Sequence, residues 1–88
     1  MKIVFSDSGW QDYCHWQDMD RKILKRINLL IKECQRSPFK GTGKPEALRG
    51  ELKGWWSRRI TQEHRLVYRM RGEGDSQALE IAQCRYHY

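Results

Sequence analysis

The chain has 88 residues, enough for one domain with one core and no room for a second. Hydrophobic residues make up 39% of it and aromatic ones 11%, a composition that argues against disorder. With a formal net charge of +6 and a pI of about 9.5, its surface attracts polyanions, nucleic acid ahead of acidic protein segments or anionic membrane.

Lys2 to Phe5 reads as a short first strand. Ser6, Asp7 and Ser8 are N-cap candidates for a first helix carrying Trp10, Tyr13, Cys14 and Gln17 at helical spacing. Asp18 or Asp20 can cap a longer second helix, in which Ile23, Ile27, Leu30, Ile31 and Cys34 form an apolar stripe. Arg21, Lys22, Lys25, Arg26, Lys32 and Arg36 occupy its other faces, where charge is usually just solvated. Pro38 ends the helix, and Gly41, Gly43 and Pro45 mark an irregular loop.

Trp55 to Thr61 alternates as a strand should. Glu63 to Arg71 follows, with His64, Leu66, Tyr68 and Met70 on one face and Glu63, Arg65, Val67 and Arg69 on the other. Gly72 to Ser76 is a hairpin turn, and Ala78 to Tyr86 a final strand. The order predicts an α+β domain over residues 1–88, a twisted antiparallel β-sheet with both N-terminal helices packed on one face.

Cys14, Cys34 and Cys84 are odd in number, widely spaced and set among apolar residues, which suits reduced thiols. Cys84 and His87 form a C-x-x-H pair, but no second pair completes a zinc site, so no metal or cofactor is expected. The apolar run at Met1 to Ser6 is too short for a signal peptide, and no stretch is long enough to span a membrane. A cytoplasmic protein is expected.

The segment Arg85-Tyr86-His87-Tyr88 is unusual, because terminal residues are commonly polar and frayed. A strand here delivers a histidine, the side chain most readily tuned for proton transfer near neutral pH. Glu46 stands in the Gly- and Pro-rich loop, and Trp55-Trp56-Ser57-Arg58-Arg59 interleaves aromatics with guanidiniums. A carboxylate, an arginine and a histidine are what metal-free RNA cleavage needs. The base takes the ribose 2′-OH proton, the acid protonates the departing 5′-oxygen, and the cation offsets phosphoryl charge. Glu46 fits the base, Arg65 or Arg59 the cation and His87 the acid. Lys44, Arg49, Arg58, Arg59 and Arg85 are candidate RNA contacts, and flanking aromatics can stack on splayed-out bases. His64, on the Leu66 and Tyr68 face, reads as structural, and the double Trp suits core more often than a stacking platform.

These residues carry a resemblance over essentially the whole chain. Ser37-Pro38-Phe39, Gly43-Lys44-Pro45-Glu46 with Leu48, Gly54 to Ile60, Glu63 to Tyr68 and Cys84 to Tyr88 together resemble the YoeB (Txe) toxins of the RelE/ParE superfamily. That resemblance implies the toxin of a type II toxin–antitoxin system, an endoribonuclease that cuts mRNA in the ribosomal A site and halts translation. It implies Glu46 as general base, His87 as general acid, Arg65 as transition-state cation and Tyr88 as a substrate-positioning residue, with Arg59 a weaker candidate in the same pocket. It also implies a YefM-type antitoxin with a flexible acidic tail, and homodimers. The turn from Arg71 to Ser76 is longer than is usual in that family. Two other functions share the fold or the charge: a ParE-like inhibitor of gyrase, and a non-catalytic module for RNA or an acidic protein tail.

Overall fold

The computed structural model describes residues 1–88. Seven elements of regular structure follow in chain order: β1 (Lys2–Phe5), α1 (Asp7–Met19), α2 (Arg21–Arg36), β2 (Glu46–Ala47), β3 (Trp56–Arg59), β4 (Arg65–Arg71) and β5 (Ala78–Gln83). Single 3₁₀ turns at Gly50–Leu52 and Gly74–Ser76 lie in the connections. The five strands form one sheet in the order β1-β5-β4-β3-β2. Both helices pack on one face of it, as expected. The sheet is antiparallel except at one edge, where β1 lies parallel to β5. An alternating strand reads alike in either direction, so the sequence pattern cannot show this.

Capping residues define the helices. The Ser6 hydroxyl accepts from the Gly9 amide (2.9 Å) and donates to the Ala82 carbonyl (2.8 Å), tying the start of α1 to β5. Only glycine fits at position 9, since a Cβ there would lie 2.7 Å from the Ile81 carbonyl oxygen. Asp20, rather than Asp18, caps α2 by accepting from the Lys22 and Ile23 amides. The α2 stripe then buries Ile27, Leu30, Ile31 and Cys34 against Leu66, Tyr68, Leu79 and Ile81 of the sheet. Each fully buried leucine or isoleucine contributes roughly 1.5–3 kcal/mol. Burial also pushes the Cys34 thiol up to about 11 and the Cys84 thiol up to about 12, so both are neutral core groups at pH 7. No helix is long and apolar enough to cross a membrane.

Two of the strand boundaries expected from sequence shift for identifiable reasons, one through a long-range contact and one through a local turn. The last strand stops at Gln83, not Tyr86, because α1 captures the next peptide group. Asp12 accepts from the Cys84 amide (3.0 Å) and Trp16 Nε1 donates to the Cys84 carbonyl (2.9 Å). Strand β4 starts at Arg65, not Glu63, because the Thr61 hydroxyl accepts from the amides of Glu63 and His64 and curls them into a turn.

Candidate active site

The sheet face away from the helices is where the candidate residues meet. Side chains directly opposite one another in neighbouring strands share a face. The register places Glu46 opposite Ser57, Ser57 opposite Val67 and Val67 opposite Gln83, in one row. Two residues along the strands, roughly 7 Å away, Arg59 lies opposite Arg65. The pair sets two positive charges on this face, where an anion is favoured.

Glu46 was expected in a loop and stands instead in the two-residue strand β2. The loop before it is pinned to β3, since the Gly43 carbonyl accepts from the Arg59 amide at 2.7 Å. Gly43 has φ +87°, and a Cβ there would come within 3.1 Å of the Arg59 backbone, so the close approach requires glycine. The Glu46 carboxylate is exposed and makes no ion pair within the chain. Arg65 is 9% exposed, and its Nη1 donates to the carbonyls of Thr61, Gln62 and His64 at 2.8–3.1 Å. Those bonds fix the guanidinium. Its Nε and Nη2 make no hydrogen bond within the chain.

The segment after β5 closes the site. Arg65 N–H donates to the Tyr86 carbonyl (3.1 Å), and Tyr86 N–H donates to His64 Nδ1 (2.7 Å). Tyr86 takes a left-handed φ of +63°, which turns the chain across the sheet edge. His87 Nε2 then donates to the Gln62 carbonyl at 3.2 Å, beside the turn that fixes Arg65. The Tyr88 hydroxyl lies 3.1 Å from that of Ser57, the cross-strand partner of Glu46. Val67, in the same row, is 1% exposed. Glu46, Arg59, Arg65, His87 and Tyr88 thus share one solvent-facing surface. Together they present a free carboxylate, an imidazole with its proton on Nε2 and two guanidiniums.

Among the candidate RNA contacts, Lys44, Arg49 and Arg59 are exposed, Arg59 on this face, and the Arg85 guanidinium lies 4.5 Å over the Tyr86 ring. Arg58 must be corrected. It is 0% exposed, on the helix side of β3, and its guanidinium donates to Tyr68 Oη, to Glu33 and to the carbonyls of Ser37, Lys40 and Thr42. No donor is left for RNA. The Thr42 hydroxyl and amide, with Arg58 beside them, hold the Glu33 carboxyl below the usual carboxylate range. The double Trp divides between faces: Trp56 packs on Phe39 (4.6 Å) and the helix-side core, while Arg69 lies 4.2 Å over Trp55. Ser57 and the backbone of Gln62 went unrecognised from sequence. Ser57 could have been found from strand alternation with Arg59; a backbone carbonyl leaves no signal.

The sequence profile of the YoeB-like toxins of bacterial type II toxin–antitoxin systems matches residues 5–88. Toxin YoeB of Streptomyces coelicolor is 57% identical over 88 residues, which span all of both chains. The YoeB/ParE toxin structure from Agrobacterium tumefaciens superposes with a TM-score of 0.97 at 53% identity and covers all of both chains. Staphylococcus aureus YoeB has been solved as a dimer (TM-score 0.87, 44% identity) and in a YoeB–YefM complex (0.86, 43%). Each of these covers all of this chain and 98% of the other.

Proposed function

The chain belongs to the YoeB-like toxins of bacterial type II toxin–antitoxin systems, and on that footing we propose that it is a metal-independent endoribonuclease that cuts mRNA in the ribosomal A site. One observation carries the reading. The strand register and the turned tail bring a free carboxylate, a fixed guanidinium and an imidazole onto one open face from positions 46, 65 and 87.

In this mechanism Glu46 removes the proton from a ribose 2′-OH, whose oxygen attacks the adjacent phosphorus. Arg65, with Arg59 opposite it, offsets charge on the non-bridging oxygens as the fifth bond forms. His87 gives a proton to the departing 5′-oxygen. The products are a 2′,3′-cyclic phosphate and a 5′-OH. Tyr88 orients the nucleotide over Ser57, and Lys44, Arg49 and Arg85 contact flanking phosphates. The natural inhibitor is a YefM-like antitoxin whose acidic segment is drawn to the net charge of +6. The free toxin pairs as a homodimer, by analogy with the staphylococcal relative.

An open face with a single layer of groups does little to align a flexible RNA. Alignment by the ribosome supplies that part of the rate. Purified toxin is therefore expected to cut an A-site codon on programmed ribosomes at least ~100-fold faster than the same mRNA free in solution. The new 5′ end should carry a hydroxyl. Equal rates in both settings would refute ribosome dependence. Intact mRNA together with inhibited DNA supercoiling would favour the ParE-like reading, against which the presence of both Glu46 and His87 stands.

A further inference from the structure

Burial cannot be what holds the tail in place. Tyr86 is 58% exposed and Tyr88 51% exposed, yet Tyr86 adopts a left-handed φ of +63° that bulky residues avoid. Such a conformation persists only where its surroundings over-determine it. Here two consecutive residues clamp both backbone polar groups of Tyr86. Its carbonyl accepts from Arg65 N–H at 3.1 Å, and its N–H donates to His64 Nδ1 at 2.7 Å.

The second bond requires a bare lone pair on Nδ1, so the His64 proton sits on Nε2. The ring is itself held. Trp16 meets it edge to face with centroids 4.8 Å apart, and Trp16 Nε1 in turn holds the Cys84 carbonyl at 2.9 Å. A rigid path therefore runs from α1 through Trp16 and His64 to the Tyr86 amide. Beyond Tyr86 the side chains make one hydrogen bond each, His87 to the Gln62 carbonyl and Tyr88 to Ser57.

We propose that His64 is a positioning residue for the cleavage reaction: its unprotonated Nδ1 latches the Tyr86 amide and thereby sets where His87 and Tyr88 stand relative to Arg65 and Glu46. The role rests on the reading that His87 and Tyr88 serve the chemistry. It separates two tasks that sequence reading merges in a structural histidine, ring packing on Trp16 and hydrogen-bond acceptance at Nδ1. Only the second acts on the reaction.

Two substitutions separate them. His64→Phe keeps an aromatic ring against Trp16 and removes the acceptor. His64→Asn gives up the ring and offers an oxygen near the place of Nδ1. Single-turnover cleavage on programmed ribosomes at saturating toxin is expected to slow by about 10- to 100-fold in His64→Phe. The half-saturating toxin concentration should stay within about twofold, because positioning affects the step after binding. Hydrogen exchange at the Tyr86 amide should rise in step. His64→Asn should cleave within about threefold of the unmodified toxin and keep the Tyr86 amide protected. Wild-type cleavage in His64→Phe, or His64→Asn as slow as His64→Phe, would overturn the proposal. If His64→Phe does not fold, exchange in the unmodified toxin decides: a Tyr86 amide as fast as an unprotected one overturns the latch. His87→Ala is run alongside. Its full activity would sink the catalytic reading while Tyr86 exchange still reports the latch.

Discussion

Replacing His87 by alanine is expected to slow single-turnover cleavage on the ribosome by about 10²- to 10⁴-fold, the usual worth of a positioned general acid. The fold should not notice the change. His87 is exposed and its ring makes one protein hydrogen bond, to a backbone carbonyl that water can reach. Surface substitutions of that kind stay within about 0.5 kcal/mol of neutral. Chemistry offers a sharper version of the test. An mRNA with sulfur in place of the bridging 5′-oxygen has a leaving group that departs as a thiolate without protonation. On that substrate His87→Ala should regain most of the wild-type rate, whereas Glu46→Gln, which lacks the base, should stay slow. Equal rescue of both variants, or of neither, would remove His87 from the acid role.

The neighbouring arginines should behave in opposite ways. Arg58→Ala is expected to destabilise the protein by about 3–5 kcal/mol, the cost of breaking a buried charged network by removing one partner. The guanidinium is 0% exposed and joins four parts of the fold: β3, which carries it, α2 through Glu33, the 37–42 loop through three carbonyls, and β4 through Tyr68. Removing it strands those carbonyls and leaves a cavity beneath the loop that leads to Glu46. Total stabilities of small domains are about 5–15 kcal/mol, so the variant loses a large share of its margin. Arg58→Lys should recover only part, because an ammonium has three donors where the guanidinium fork uses more. Arg59→Ala, one residue on and exposed, should leave the urea midpoint nearly unchanged while weakening cleavage. Arg58→Ala within about 1 kcal/mol of the parent in urea unfolding would refute the assignment.

The contrast between those two arginines shows where reading the sequence stops. Apolar spacing in α2 and the capping carboxylate at Asp20 declare themselves, because both act within a few residues. The run Trp55-Trp56-Ser57-Arg58-Arg59 alternates, but each of its two faces carries a tryptophan and an arginine, so the pattern does not say which arginine faces inward. That is decided by pairing with β4, where Leu66 opposite Arg58 belongs to the core and Arg65 opposite Arg59 does not. Strand β2 was unreadable for the same reason, since two residues acquire a strand conformation only from their partner. The final strand read three residues too long because Asp12 and Trp16, some seventy residues earlier, take over its backbone at Cys84. Glu46, Arg65 and His87 were recognisable as chemistry and as a family pattern. Their convergence depends on a turn at Tyr86 held by His64, which local pattern does not encode.

The most direct test of the mechanism uses a programmed ribosome whose A-site codon carries a single 2′-deoxy nucleotide on the 5′ side of the cut. With no 2′-OH for Glu46 to deprotonate there is no internal nucleophile, so cleavage at that bond should vanish while toxin binding to the ribosome is unchanged. Cleavage of the deoxy-substituted bond at the rate of the all-ribose mRNA would contradict acid–base attack by the 2′-OH.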